Sequence, residues 1–142
     1  MNPLQYLVIN YPNKNWNWRE LSKNPNIDLK FIEKHPEKPW DWWGISSNPN
    51  ITMEIIEKYP NKHWKWWFIS SNPNITMEFI EKYPNKPWHW KYGISKNPNI
   101  TMEFIEKHLD KIDFYELSQN EFIFENIAWI AGWIYSFSQK MS

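Results

Sequence analysis

NPNITMEIIEKYPNKHWKWWFISS, residues 48–71, holds two short helical patterns parted by a proline, and the chain repeats this unit along its length. Pro49 biases Asn48 away from helical geometry, because the proline ring crowds the preceding residue. Thr52 suits an N-cap, its hydroxyl accepting from an unpaired N–H of the first turn. Ile51 stands before that cap and Ile56 lies beyond it at the spacing of a hydrophobic staple. Met53, Ile56 and Tyr59 share one side of the helix. Glu54 and Lys58 are ordered to suit both each other and the helix dipole. Pro60 stops the helix, which is predicted over residues 52–59. A second, shorter helix follows. In PWDWWGISSNP, residues 39–49, Asp41 is the cap and Trp40 and Ile45 form the staple. The cap column across units reads Asn17, Asp41, Lys65, His89 and Asp113. With so few residues, this second helix is expected to be α or 3₁₀.

The Asn-Pro-Asn triplets begin at Asn24, Asn48, Asn72 and Asn97, at spacings of 24, 24 and 25 residues, and a degenerate start follows at Asn120. Lys91 reads as a one-residue insertion. Such periods indicate a stacked array. The chain is therefore expected to be one repeat domain, 1–142: a divergent unit at 1–23, repeats at 24–47, 48–71, 72–96 and 97–119, and a C-terminal cap at 120–142. Leu4, Leu7 and Val8 would form the first helix. No helix of two turns persists alone in water. Stacked copies bury each other's apolar faces, with NPNIT as the corner between layers. The expected fold is all-α, a short αα (α/3₁₀) solenoid of roughly 24-residue repeats with a C-terminal capping helix.

Composition narrows the chemistry. The 142 residues include 12 Trp, 8 Phe and 7 Tyr, so an aromatic interior is expected. Net charge is zero, and no whole-molecule field draws the chain to nucleic acid or anionic lipid. The lack of Cys excludes disulfides, thiolate zinc sites and cysteine nucleophiles. The opening MNPLQYLVINYP has no basic region before a short apolar run, and no stretch reaches the roughly 18 apolar residues of a membrane span. A cytoplasmic location is expected. Lys outnumbers Arg 15 to 1 and Ala occurs only at Ala128 and Ala131, a bias that AT-rich coding produces.

The pattern S-x-N-P-N-I-T-x-E-F-I-E-K followed by W-x-W-x-x-I-S resembles the Asn-Pro-Asn, Trp-rich repeats of giant DNA viruses that infect amoebae. The unit is also similar to the leucine-rich repeat variant, whose N-P-N-T-P-x-E-L-L resembles NPNITMEFI at residues 72–80. That resemblance implies alternating α and 3₁₀ helices in a right-handed superhelix. It covers residues 11–119, departs in carrying Trp and Tyr where the variant has smaller apolar residues, and transfers no active site. A viral source would place the protein in host cytoplasm or in the virion.

No catalytic constellation stands out. His35 and His108 replace the tyrosines of other units, His63 replaces a proline, and His89 is in the cap column, so neither a metal nor another cofactor is expected. Glu33, Glu57, Glu81 and Glu106 form a ladder beside Lys34, Lys58, Lys82 and Lys107, which reads as a self-compensating face. Ser22, Ser46, Ser70, Ser95 and Ser118 recur at the end of the second helix, where a hydroxyl suits a local backbone bond rather than attack on substrate.

Two columns suit binding. Lys14, Lys38, Lys62, Lys86 and Lys111 would line one edge, either as a contact for an acidic partner or as a solubility device. Trp18, Trp42, Trp66, Trp90 and Phe114 are always aromatic and are expected inside. The next column, Arg19, Trp43, Trp67, Tyr92 and Tyr115, varies, as does Glu20, Gly44, Phe68, Gly93 and Glu116. Variation suggests looser packing, so Trp43, Trp67, Phe68 and Tyr92, with Lys38, Lys62 and Lys86, are the candidate partner-binding residues. The expected function is a non-catalytic scaffold for protein–protein interaction, its partner an unidentified protein. The alternatives are single-stranded nucleic acid binding through aromatic and lysine ladders, which the Glu ladder opposes, and a structural virion component. FIFENIAWIAGWIYSF, residues 122–137, opens on Phe122, closes on Phe137 and is apolar nearly all round. It is expected to cap the last repeat, or to mediate self-association; membrane insertion is not expected.

Overall fold

The computed structural model describes residues 1–121, which leaves the expected C-terminal cap and self-association segment outside the described residues. Within them the chain is helical, with no strand. α1 (Pro3–Asn10) leads into four longer-period pairs: α2 (Trp18–Lys23) and α3 (Leu29–Lys34), α4 (Trp42–Ser46) and α5 (Met53–Lys58), α6 (Trp66–Ser71) and α7 (Met77–Lys82), then η1, a 3₁₀ helix (Ile94–Lys96), and α8 (Met102–Lys107). α9 (Phe114–Leu117) follows.

The local rules account for these bounds. Asp28, Thr76 and Thr101 cap α3, α7 and α8 by accepting from the N–H of Phe31, Phe79 and Phe104. Thr52 is the exception. Its hydroxyl donates to Glu54 Oε2 at 3.0 Å, and α5 has no side-chain cap. α3, α5 and α7 end before His35, Tyr59 and Tyr83, each preceding a proline that disfavours another helical residue. In the second-helix cap column, Asn17, Asp41 and Asp113 accept from the N–H three residues on, and His89 Nδ1 does the same for Tyr92 at 3.2 Å. The Lys91 insertion is absorbed at this point. Ile94 N–H bonds His89 O at 2.8 Å and Ser95 N–H bonds Trp90 O at 3.0 Å, one residue wider than the Ile69 to Lys65 bond of α6.

Polar side chains fasten one unit to the next. Asn48 is buried, and its Nδ2 donates to the carbonyls of Ser22, Asn24 and Ile27 at 2.9–3.0 Å. Asn97 Nδ2 repeats the pattern on Ser70, Asn72 and Ile75, and Asn120 Nδ2 reaches Ser95 and Asn97. The other end of each triplet's first Asn stays local: Oδ1 of Asn24, Asn48, Asn72 and Asn97 accepts from the N–H two residues on at 2.8–2.9 Å. One amide thus shapes its own corner and ties down the previous one. The serines add a second tie. Ser22, Ser46, Ser70 and Ser95, all fully buried, accept from the N–H of Asp41, Lys65, His89 and Asp113 at 2.9–3.0 Å. Their backbone partners are therefore in the following unit, not only local as the sequence suggested.

The deepest columns are aliphatic, with Phe31, Phe79 and Phe104 buried beside them. Ile27, Ile51, Ile75 and Ile100 form one buried column, Leu21, Ile45, Ile69 and Ile94 a second, and Ile32, Ile56, Ile80 and Ile105 a third. The expected inner column is corrected: Trp18, Trp42, Trp66 and Trp90 are half-buried and Phe114 is exposed. The other Trp of W-x-W takes the deeper place in the third and fourth units, where Trp64 and Trp88 are buried; Trp16 and Trp40 are half-buried. The indole N–H allows that depth. Trp16, Trp40, Trp64 and Trp88 each donate to the carbonyl five residues back, at 2.8–2.9 Å, so the ring can leave water with its polar atom paired. The half-buried indoles pack across layers instead, Trp18 on Trp40, Trp42 on Trp64 and Trp66 on Trp88, edge to face at 4.9–5.2 Å. In α1, Val8 is buried and Leu7 is exposed.

The variable column is also corrected. Gly44, Gly93 and Glu116 are buried, so variation there marks tight packing rather than loose. A Cβ on Gly44 would lie 2.6 Å from Ser22 Cβ and closer still to the Arg19 carbonyl, so α4 rests on α2 with no room for a side chain. Glu116 pairs with Lys96, Oε2 to Nζ at 2.8 Å.

Two outcomes follow for stability. Asn48→Ala removes the side-chain donor from three carbonyls, of which Asn24 O keeps the Ile27 N–H, and is expected to cost on the order of 3 kcal/mol, against about 1 kcal/mol for the rim residue Asn50; denaturant melts of the two variants decide it. Trp64→Ala is expected to cost about 3–5 kcal/mol, and Trp66→Ala clearly less, read from the same melts.

Candidate interaction surface

The first turns of α4 and α6 turn successive indoles about 100° apart. Trp42 and Trp66 consequently lean onto the neighbouring layer, while Trp43 and Trp67 point outward, 45% and 48% exposed. Around them the outer side carries a run of π contacts. The Arg19 guanidinium lies over Trp43 at 4.6 Å, and Phe68 meets the same ring edge-on at 5.2 Å. Trp67 stacks on His89 at 4.8 Å and on Tyr92 at 5.3 Å, with interplanar angles of 23° and 14°. Lys91 lies over Tyr92 at 5.0 Å. Of the four aromatic candidates, Trp43 and Trp67 are exposed, and Phe68 and Tyr92 are half-buried.

The lysine candidates occupy a different place. Lys62 lies over Trp42, Lys86 over Trp66 and Lys111 over Trp90, at 4.8–5.9 Å. Lys38 is half-buried with Nζ 3.9 Å from Glu37 Oε1. These cations thus cover the half-buried indole column, whereas Arg19 and Lys91 flank the outer strip. The sequence missed both flanking cations, although Arg19 stands in the same column as Trp43 and Lys91 is the inserted residue.

Several ladder residues are engaged with each other across layers. Lys82 Nζ and the Tyr83 hydroxyl both reach Glu57 Oε1 at 2.7 Å, and Lys107 pairs with Glu81 at 3.4 Å and Glu103 at 2.8 Å. The hydrogen bonds from Lys82 and then Tyr83 hold the Glu57 carboxyl below its ordinary range, and Glu57 holds Lys82 above its own. The Glu57 contribution is present at neutral pH and fades as pH falls through the carboxylate range. His35 leans on Phe31 at 4.7 Å and His108 on Phe104 at 4.5 Å, as aromatic substitutes. Among the described residues no group of three or more His, Asp or Glu is placed to hold a metal ion, and no helix is long and apolar enough to cross a membrane.

Compared with protein-family models, curated proteins and solved structures, the chain matches none. The double variant Trp43→Ala, Trp67→Ala is expected to fold, losing about 1 kcal/mol per ring contact removed; a collapse of the melting transition would place these rings in the core instead.

Proposed function

We propose that the chain is a non-catalytic repeat scaffold, a short right-handed αα solenoid with a C-terminal capping helix, that presents its outer aromatic strip to a protein partner. The observation that carries the reading is the exposure of Trp43 and Trp67, one in a group of rings beside Arg19 and the other in a group beside Lys91. Trp, Tyr and Arg dominate binding energy at protein interfaces, because they bury large area and keep a polar contact. Here the rings are already held by neighbours, so little side-chain freedom is lost on docking. The serines are bound to backbone, and of the ladder carboxylates Glu57 and Glu81 are bound to lysine, which supports a structural role for them. The Asn-Pro-Asn resemblance and the AT-rich coding bias support a viral source, with the protein in host cytoplasm or in the particle.

Single-stranded nucleic acid is the second reading, favoured by the near-parallel Trp67, His89 and Tyr92 rings beside Lys91. Zero net charge opposes it. Crosslinking in the native cell, comparing the chain with its Trp43→Ala, Trp67→Ala, Tyr92→Ala variant, tests the first reading. A partner captured by the parent and lost by the folded variant is expected; capture undiminished in the variant would reject the strip. A labelled oligonucleotide shift that vanishes with salt would move the assignment to the second reading.

A further inference from the structure

The layers repeat, but the grooves between them do not. A cleft of about 470 Å³ opens between the second and third units, walled by Trp40, Trp42, Tyr59 and Trp64 with Lys38 and Lys62 among its lining. One unit further on, the matching groove, built from Ile56, Glu57, Pro60, Trp66, Tyr83 and Lys86, holds about 80 Å³. Its positions correspond to Ile32, Glu33, Pro36, Trp42, Tyr59 and Lys62 of the larger cleft, residue for residue. The seventh residue of the small groove is Phe79, which lines it. The corresponding residue of the large one is Ile55, where the other three units carry Phe31, Phe79 and Phe104.

A second departure acts at the same junction. Gly44 lets α4 lie directly on α2, but the same position in α6 is Phe68, whose ring is interposed edge-on to Trp43. α6 therefore packs on α4 more sparsely than α4 does on α2. One substitution spreads the two units and the other withdraws the side chain that would fill the space. In the following layers the fill is present: Phe104 stacks on Trp90 at 5.8 Å, with His108 at 5.1 Å. His63 and Trp64 meet Trp42 edge-on, at 73° and 89°, and Lys62 lies over its ring at 5.9 Å.

We infer that this cleft is a small-molecule site, and that it takes a planar aromatic ring bearing an anionic group. Its volume lies in the roughly 300–1,000 Å³ range of ligand sites. Four aromatic side chains offer faces and edges to a ring. Lys38 lies 3.9 Å from Glu37, whereas among the described residues no carboxylate is within ion-pair distance of Lys62, so Lys62 is the cation that would meet an anion in the cleft.

The test uses the full chain and naphthoate, with naphthylmethanol as its uncharged counterpart, titrated by calorimetry. Saturable naphthoate binding is expected, several-fold tighter than that of the alcohol. Ile55→Phe restores the residue found in the other units, so it should fold as well as the parent and lose affinity tenfold or more. Lys62→Gln, on the surface, should weaken naphthoate severalfold and leave the alcohol unchanged. Absence of saturable naphthoate binding, or full affinity in a folded Ile55→Phe, would overturn the site; equal binding of acid and alcohol would overturn its anionic character.

Discussion

A buried carboxamide holds this architecture together. An Asn side chain has two N–H donors and an acceptor with two lone pairs, so it can reach three carbonyls with one N–H shared between two of them and still accept from a backbone N–H. Asn48 and Asn97 each donate to two carbonyls of the preceding unit and one at the end of the unit before it, while shaping their own turn. Units of this size leave helix ends close together, and helix ends expose unpaired carbonyls. Burying those ends among isoleucines would be prohibitive unless each carbonyl found a donor. The Asn column supplies the donors, and the aliphatic columns can then close around them.

This explains why the repeated letters are polar at the corner and why the aromatics are displaced outward. The deepest positions hold Ile, whose bulk fits between closely spaced backbones. Trp enters only where its N–H finds a carbonyl, as with Trp64 and Trp88, or lies across the rim, as with Trp66 and Trp90. The lysines over the rim indoles extend the same economy of contact, since a cation above a ring face keeps its water while shading apolar surface.

Much of the local structure was legible in the sequence, because caps and stops act over three or four residues. Asp41 caps where expected and α5 ends before Pro60, although Thr52 makes no cap bond. What escaped depends on distance in the chain. Ser46 meets Lys65 across 19 residues, and no local pattern distinguishes that bond from one to its own turn. The two tryptophans of W-x-W are equally regular, so periodicity could not say which goes in; a bond from Trp64 to the Tyr59 carbonyl decides it. Variation misled in the opposite sense. Gly44 and Phe68 differ because the gaps they occupy differ, not because the position is free. Of the candidate surface, the outward Trp43 and Trp67 were legible, while the separation of the lysines from them was not.

The wide turn at Lys91 has a consequence for how such a chain changes over generations. An added residue would ordinarily rotate everything after it by a fraction of a helical turn and scramble each later neighbour. Here the slack is taken up between His89 and Ile94, and Ser95 and Asn97 still reach their mates. Length errors at that bend are quarantined. Single-codon gains become raw material for new outward groups, Lys91 itself among them, without any downstream side chain having to change company.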